Sequence, residues 1–353
     1  MCTPPARLLP CAALLVFAAC AGKADEGADT PDDTAESGVD SGPESDSATD
    51  SADSADTGDT ADTGDTGGGL DPLDLAAEVD TERLQATIEA LAGLGTRYTF
   101  SDGDEAAADW LAAQVEALGL EAELDPFDVD GTTATNVITR VEGRDPSVVW
   151  IYQAHYDSTS NRPDTEAPGA DDNASGVAAV LEAARILSGY QLEHTVIFVF
   201  TAAEEQGSLG SAHLADRYDR EGLDIRGVMA PDMMAYWPLG DEDAFDILGD
   251  ADSQHLVEDM AGAADALGVA HKVWIEHEYC YGDDHTNWQE SGFPAISPMD
   301  CVEAHNVGRS GESTPHYHRT TDTVDTLYLP FTTQVVRVSV ATLAGWVGVE
   351  GRR

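Results

Sequence analysis

The sequence predicts an α/β fold, a single three-layer domain with a mostly parallel central sheet covered by helices on both faces. From Asp71 onward, segments with apolar residues at helical spacing alternate with short runs that are apolar throughout. Such runs are typical of parallel strands buried on both faces. The charged residues of interest follow these runs directly, at the positions that become the carboxyl ends of strands, where ligands bind in sheets of this kind.

The elements of the domain can be predicted in order. Residues 73–95 and 104–120 have the periodicity of helices, with glycine at or near their ends. Short apolar, β-branched runs bounded by polar residues then predict the strands. The predicted series continues with strands 135–141 and 147–155, helix 174–189, strand 194–203, helix 210–222, strands 227–234 and 244–249, helices 253–268 and 283–292, strand 294–299 and helix 330–347.

Residues 1–20 are predicted to be a lipoprotein-type signal peptide. Arg7 precedes an apolar stretch that is shorter than a transmembrane helix requires. The sequence "FAAC" resembles a bacterial lipobox, in which Cys20 becomes the lipidated first residue, although Phe17 stands where leucine is usual. The alternative is an ordinary signal peptide cut nearby. In both cases we expect an exported protein, and with a lipid on Cys20 we expect it at the outer membrane or cell surface.

Residues 21–69 are predicted to be a disordered acidic tether, rich in Asp, Thr, Ser, Ala and Gly, that leads to a folded domain over residues 70–353. The segment has no aromatic residue, and it carries 15 acidic residues against the single Lys23. It cannot bury enough apolar surface to offset its chain entropy. A calcium-binding repeat is not favoured, because the acids lack the spacing of a known calcium loop.

The formal net charge of −50 exceeds what the tether contributes, so the folded surface is acidic as well. This charge argues against nucleic acid and anionic lipid as partners. We therefore expect membrane contact only through a lipid on Cys20, and we expect a monomer. The folded domain has two cysteines, Cys280 and Cys301, which an oxidising compartment favours as a disulfide, with two unpaired thiols as the alternative.

Histidine and carboxylate side chains gather at the ends of the predicted strands. His155 and Asp157 in "YQAHYDS" form a His–x–Asp pair, which suits a metal-bound imidazole oriented by a carboxylate. Each of the other motifs also has a plain structural explanation, such as helix capping or a solvated strand end. They are Asp171 and Asp172 in "PGADDNASG", Glu204 and Glu205 in "TAAEEQGS", Asp232 in "MAPDMM", and His316 and His318 in "TPHYHRTTDT".

Together these residues predict a metal site. The set contains His, Asp and Glu but no Cys, which matches the ligands of a hydrolytic zinc site. The adjacent Glu204 and Glu205 are informative, because neighbours in an extended chain point to opposite faces. One glutamate can therefore bind the metal while the other transfers protons.

The motifs resemble those of a known family. "AHYDS", "PGADDNASG", "AAEEQGSLGS", the "PD" that contains Asp232, and "YHRTTDT" stand in the order and spacing of the co-catalytic two-zinc exopeptidases. This family includes bacterial leucyl aminopeptidases and the glutamate carboxypeptidase II group. "GDDHTNWQESGFPAI" also resembles the family's "SDH" helix and the strand after it. The resemblance extends from about Asp71 to the C-terminus and implies a fold of the zinc-exopeptidase type.

The resemblance also implies a role for each site residue. One zinc ion is expected on His155 and Asp232, the second on Glu205 and His318, with Asp172 bridging the two. His318 is preferred over His316 because it stands four residues before Asp322, as the family's His–x–x–x–Asp–Thr ending requires.

The same resemblance implies that Glu204 is the general base and that Asp157 orients His155. Asp171 is expected beside the metals and not on them. The well-known bacterial aminopeptidases also have a tight disulfide before the "SDH" helix, and here Cys280 stands there without a close partner.

The function that follows is an exported zinc aminopeptidase acting on peptides. A carboxypeptidase of the same fold would need cationic groups for the terminal carboxylate, and the chain has only 17 Lys and Arg. A glutaminyl cyclase would use one zinc and not the paired ligand set. The alternative outside enzymes is a lipid-anchored binding protein with a structural metal site.

Overall fold

A computed structural model describes residues 70–237, 244–276, 283–300 and 314–353. Within these ranges the strands are β1 (Glu123–Val129), β2 (Thr132–Val141), β3 (Asp145–His155), β4 (Tyr190–Leu192), β5 (His194–Thr201), β6 (Asp224–Met229), β7 (Phe245–Gly249), β8 (His271–Ile275), β9 (Ala295–Met299) and β10 (Val349–Arg352). The main sheet has the strand order β1-β2-β5-β3-β6-β9-β7-β8, while β4 and β10 form a separate pair.

The middle of the main sheet is parallel. Strands β5, β3, β6 and β9 run in one direction, and β7 and β8 are parallel to each other. The pairs β1–β2, β2–β5 and β7–β9 are antiparallel. The sheet is therefore mixed, and its parallel part lies where the candidate site residues follow the strands.

Helices cover both faces of the sheet. They are α1 (Pro72–Ala76), α2 (Thr81–Ala92), α3 (Asp102–Ala117), α4 (Ala174–Ser188), α5 (Leu209–Glu221), α6 (Gln254–Leu267), α7 (Asp284–Glu290) and α8 (Leu329–Val347), with a short 3₁₀ helix at Val324–Thr326. No helix in the described ranges combines the length and apolar character that crossing a membrane requires.

Alternate residues of the central strands pack into two separate apolar clusters. Tyr152 of β3 faces a cluster formed with α1, α2, α3, α4, α6 and α8. Its neighbour Ile151 faces the opposite cluster, which contains Leu214 and Tyr218 of α5 and Trp288 of α7. Neighbouring strand residues point to opposite faces, so a continuous apolar run fills both clusters. This arrangement confirms the predicted three-layer α/β fold class.

Several predicted boundaries were wrong for local reasons. The helix predicted over 73–95 is two helices, because the side chain of Asp80 accepts a hydrogen bond from the N–H of Glu82 and starts α2 there. Strands β1 and β8 were missed, because β1 contains three acidic residues and a proline, and β8 has only three apolar residues after His271 and Lys272. The strand predicted over 227–234 ends at Met229, and Asp232 follows in an irregular segment that forms an isolated bridge with Met299.

Several predictions fall outside the described ranges. They concern the signal peptide with Cys20, the tether over 21–69, and the pairing of Cys280 with Cys301.

Candidate metal centre

The candidate site lies at the carboxyl ends of the parallel strands. β3 ends at His155, and Asp157 follows in the next loop. Glu204 and Glu205 come shortly after the end of β5, and Asp232 comes shortly after β6. Because β5, β3 and β6 are neighbouring parallel strands, their carboxyl ends bring these side chains to one edge of the sheet.

Two groups of potential metal ligands form at this edge and share Asp172. The first group is His155, Asp172 and Asp232, and the second is Asp172, Glu205 and His318. In each group the ligand atoms lie within 4.8 Å of one another. The structure therefore brings together all five residues that the family resemblance implies as metal ligands.

Asp172 presents one oxygen to each group. Its Oδ1 lies 3.4 Å from Nε2 of His155, and its Oδ2 lies 3.4 Å from Nε2 of His318. Nε2 of His155 is also 3.5 Å from Oδ2 of Asp232, and Nε2 of His318 is 3.0 Å from Oε2 of Glu205. A carboxylate placed in this way can bridge two cations.

The donor atoms fit zinc. Both groups offer imidazole nitrogen and carboxylate oxygen, the ligand types of hydrolytic zinc sites. Among the described residues, Nε2 of His155 and Oδ1 of Asp232 are buried and have no hydrogen-bond partner. Buried polar atoms are normally satisfied, and a cation bound between these two residues would satisfy both.

Charge interactions at the site also favour a cation. Burial alone would raise the pKa of Asp172, but the nearby imidazoles of His155 and His318 outweigh it and lower that pKa. Burial and the charge of Asp172 raise the pKa of Glu205 to about 7. Burial acts to lower the pKa of His318, yet hydrogen bonds to Asp172 and Glu205 raise it to about 10. Since a metal binds only the deprotonated imidazole, metal binding here must release a proton.

Asp157 connects the histidine with both glutamates. Its Oδ1 accepts a hydrogen bond from the backbone N–H of Glu204 at 3.0 Å, and its Oδ2 accepts one from the N–H of Glu205 at 3.2 Å. Oδ1 also lies 3.6 Å from Nδ1 of His155. Nδ1 of His155 is nearer to the backbone oxygen of Asp157, at 3.3 Å, so the Asp157 carboxylate lies beside the imidazole. The sequence did not reveal the second contact, by which Asp157 holds the segment that carries both glutamates.

The two glutamates have different partners. Oε2 of Glu205 faces His318, and its Oε1 accepts a hydrogen bond from the N–H of Thr159 at 3.0 Å. Glu204 belongs to neither ligand group. Its Oε2 lies 4.0 Å from Nε2 of His155, and its Oε1 accepts a hydrogen bond from the hydroxyl of Ser208 at 2.9 Å. Glu204 is thus beside the ligands and not among them.

Asp322 explains the spacing of the last motif. Its Oδ1 accepts the N–H of Asp171 at 2.9 Å, and its Oδ2 accepts the N–H of Asp172 at 3.0 Å. The turn that contains His318 ends at Asp322, so one short segment supplies a ligand and also fixes the backbone of the shared carboxylate. This support depends on a contact between residues that are far apart in sequence.

Asp171 and His316 lie outside both ligand groups. Oδ1 of Asp171 accepts a hydrogen bond from the N–H of Ala235 at 2.8 Å. Nδ1 of His316 lies 2.9 Å from the hydroxyl oxygen of Thr321. The structure therefore places His318, and not His316, beside Asp172 and Glu205.

Arg97 lies beneath the site and stabilises two of its loops. The sequence analysis did not identify this residue. The side chain is completely buried, and its guanidinium donates hydrogen bonds to the backbone carbonyls of Tyr156, Pro168 and Gly169. Burial lowers the pKa of Arg97 to about 10, against the opposing effect of Asp322 and other carboxylates, so the group stays charged at neutral pH. It ties the loop after β3 to the loop before α4.

Gly169 allows this close approach. A Cβ at Gly169 would lie 2.4 Å from the backbone oxygen of Asp172 and 2.8 Å from Nη2 of Arg97. The residue also has a φ of +53°, which L side chains rarely adopt. Glycine therefore lets the loop before α4 pack directly on the guanidinium.

We expect Arg97→Met to destabilise the domain by about 3–5 kcal/mol, the usual effect of removing one partner from a buried charged network. The methionine would leave three buried carbonyls without their donor. Urea unfolding of the purified domain measures the change. Arg83→Met is the matched control, because the side chain of Arg83 is 61% exposed and pairs only weakly with Asp80. Equal stability of the two variants would contradict this role of Arg97.

A three-layer α/β domain with histidine and carboxylate ligands at the carboxyl edge of its sheet is the architecture of a metal-dependent hydrolase. Comparison with known proteins specifies the family. Residues 136–343, more than half of the chain, match the family model "Peptidase family M28". The chain belongs to peptidase family M28, which confirms the zinc exopeptidase family predicted from the motifs and makes the chain a metallopeptidase by family.

A relative and two solved structures show how far the similarity extends. A probable zinc metalloprotease from Pyrenophora teres f. teres is 28% identical over 327 residues, an alignment that covers 75% of this chain and 66% of that protein. This chain thus spans about two thirds of that relative's length.

The solved structures share the fold. BSAP, a zinc aminopeptidase from Bacillus subtilis, superposes with a TM-score of 0.65 at 16% identity, covering 76% of this chain and 96% of that chain. A glutaminyl cyclase from Porphyromonas gingivalis superposes with a TM-score of 0.64 at 21% identity, covering 76% and 99%.

Proposed function

We propose that this protein is an exported aminopeptidase that binds two zinc ions and hydrolyses the first peptide bond of its substrates. One zinc is assigned to His155 and Asp232, the other to Glu205 and His318, with Asp172 between them. The observation that carries the proposal is the position of Asp172, whose two oxygens each lie 3.4 Å from a different histidine. A structural site for a single ion has no need of this shared carboxylate.

Glu204 is the general base in this proposal. Zinc held by these five residues would act as a Lewis acid. It would polarise the scissile carbonyl and lower the pKa of water, so that hydroxide is available to attack at neutral pH. Glu204 accepts the proton of the attacking water and then delivers it to the leaving amine. Its Oε2 is oriented toward His155 at 4.0 Å, which places it beside the first ligand group.

The aminopeptidase is favoured over the other enzymes of this fold. A carboxypeptidase needs a cation for the terminal carboxylate, and Arg97, the buried cation nearest the site among the described residues, is already bound to three backbone carbonyls. A glutaminyl cyclase needs one zinc, whereas here Glu205 and His318 complete a second ligand group.

An apolar cluster beside the ligands suggests the preferred substrate. Met233 follows Asp232 directly and packs with Leu248, Met299 and, at its edge, Tyr317. The ring of Tyr317 stacks on His318 with a centroid distance of 3.7 Å. This cluster supports a preference for substrates with a large apolar N-terminal residue.

A substrate panel tests the proposal directly. We expect hydrolysis of leucine p-nitroanilide that disappears when a chelator removes the metal and returns when zinc is added. Dipeptides with a free N-terminus and a blocked C-terminus should be cleaved, while N-blocked dipeptides should not. Cleavage of only the N-blocked series would show a carboxypeptidase, and zinc binding without any hydrolysis would show a binding protein.

Export and lipid attachment are part of the same proposal and rest on the first 20 residues. We expect Cys20→Ser to release the mature protein from membranes, because the thioether that carries the lipid can no longer form. Incorporation of labelled palmitate into wild-type protein but not into the variant measures the attachment, and Cys11→Ser is the matched control. Labelling of the Cys20→Ser protein would reject lipidation at Cys20 and leave the ordinary signal peptide.

A further inference from the structure

The loop between β5 and α5, residues 202–208, carries both glutamates, and one side chain links its first residue to the first turn of α5. Asn136 of β2 accepts a hydrogen bond from the N–H of Ala202 at 3.0 Å and donates one to the carbonyl of Gly210 at 3.1 Å. A Cβ at Gly210 would lie 2.3 Å from the carbonyl oxygen of Ala202. The two ends of the loop are therefore held against each other, which limits the positions that Glu204 can take.

Ser208 sits in this loop with its hydroxyl on the proposed base. Its Oγ donates a hydrogen bond to Oε1 of Glu204 at 2.9 Å, and the side chain is almost fully buried. The backbone of Ser208 is fixed as well, because its carbonyl accepts a hydrogen bond from the amide of Asn287 at 2.9 Å and its N–H donates to the carbonyl of Glu204. The hydroxyl thus has a defined position relative to the carboxylate.

The backbone conformation of Ser208 is energetically unfavourable for a residue other than glycine. Its φ is +54°, in the left-handed region that residues other than glycine rarely adopt. A hydrogen bond between the side chain and Glu204 is a function that glycine could not supply at this position. Residues held in such conformations cluster at functional sites.

We propose that Ser208 is a positioning residue that holds Oε1 of Glu204 and so makes Oε2 the oxygen that takes up and returns the proton. The proposal rests on the proposed function, in which Glu204 is the general base. Glutamate has several rotatable bonds, and ordering them costs conformational entropy. A hydrogen bond to one oxygen fixes the plane of the carboxylate and directs the other oxygen toward His155, from which it lies 4.0 Å away.

The test uses two variants that remove the hydroxyl in different ways. Ser208→Ala keeps the Cβ, whereas Ser208→Gly suits the positive φ better. If one of the two variants folds poorly, we expect the other to fold normally. We expect each to lower kcat by about 10–100-fold, the usual effect of removing a group that orients a reacting residue. KM and the zinc content should stay unchanged. Ser339→Ala, at a buried serine of α8 whose hydroxyl donates to the carbonyl of Val335, is the matched control for loss of a buried hydroxyl.

A double-mutant cycle separates positioning from general stability. In a Glu204→Gln background there is no base to orient, so we expect Ser208→Ala to cause no further loss of kcat. The same fold loss in both backgrounds, or an unchanged kcat in Ser208→Ala and Ser208→Gly, would overturn the inference while leaving the aminopeptidase intact. A wild-type protein that binds zinc but hydrolyses no peptide would overturn the proposed function and the inference with it.

Discussion

Glu204→Gln is expected to lower kcat by about two to four orders of magnitude, the usual contribution of a general base. The substitution keeps the shape of the side chain and its hydrogen bond from Ser208, but the amide cannot accept a proton. Because Glu204 lies in neither ligand group, the variant should keep its zinc and its affinity for substrate. Single-turnover kinetics on leucine p-nitroanilide, together with metal analysis of the same sample, measures both properties.

Glu205→Gln is the matched comparison, since it makes the same chemical change one residue along the chain. Oε2 of Glu205 lies 3.0 Å from His318 in the second ligand group, so this variant should lose zinc as well as activity. The same metal loss in both variants would mean that the roles of the two glutamates are assigned wrongly.

Asp172→Asn is expected to remove metal from both positions at once. Asp172 is the residue that the two ligand groups share, and each of its oxygens faces one histidine. An asparagine would offer one neutral oxygen and turn an N–H₂ group toward the other ion. We expect zinc content to fall below one ion per chain and kcat/KM to fall about a thousandfold or more, since a catalytic metal contributes several kcal/mol of transition-state stabilisation.

Asp171→Asn is the control for this change. Asp171 is the adjacent residue and equally buried, but its Oδ1 accepts the N–H of Ala235 and it belongs to neither ligand group. Asparagine can still accept that hydrogen bond, so zinc content should be unchanged. Full zinc occupancy in Asp172→Asn, or loss of zinc only in Asp171→Asn, would contradict the assignment of the bridging carboxylate.

Much of the fold was predictable because its central strands are buried on both faces. The runs 148–152 in β3 and 196–200 in β5 are apolar throughout, and such runs are recognisable without knowledge of their neighbours. The edge strands β1 and β8 are different, since each has an exposed side and a pattern that could equally belong to a loop. Their place is decided by pairing with β2 and β7, which a single sequence does not show.

The candidate ligand residues could be predicted for a related reason. They follow strand ends, where parallel strands must bring them together, and the motif spacing resolved His316 from His318. The supporting contacts were not predictable in this way. Arg97 binds carbonyls of Tyr156, Pro168 and Gly169, and backbone carbonyls leave no mark in the sequence. Likewise, nothing local shows that Asp157 accepts the N–H groups of Glu204 and Glu205.

The clustering of so many carboxylates also affects the stability of the folded protein, apart from its role in catalysis. Asp157, Asp172, Glu204, Glu205 and Asp232 meet at one edge of the sheet, and their mutual repulsion opposes folding when no cation is bound. A divalent ion that binds only the folded chain shifts this balance by mass action, by about 2.7 kcal/mol at a free concentration one hundred times Kd. We therefore expect the metal-loaded protein to resist proteolysis longer than the metal-free protein, independently of its activity.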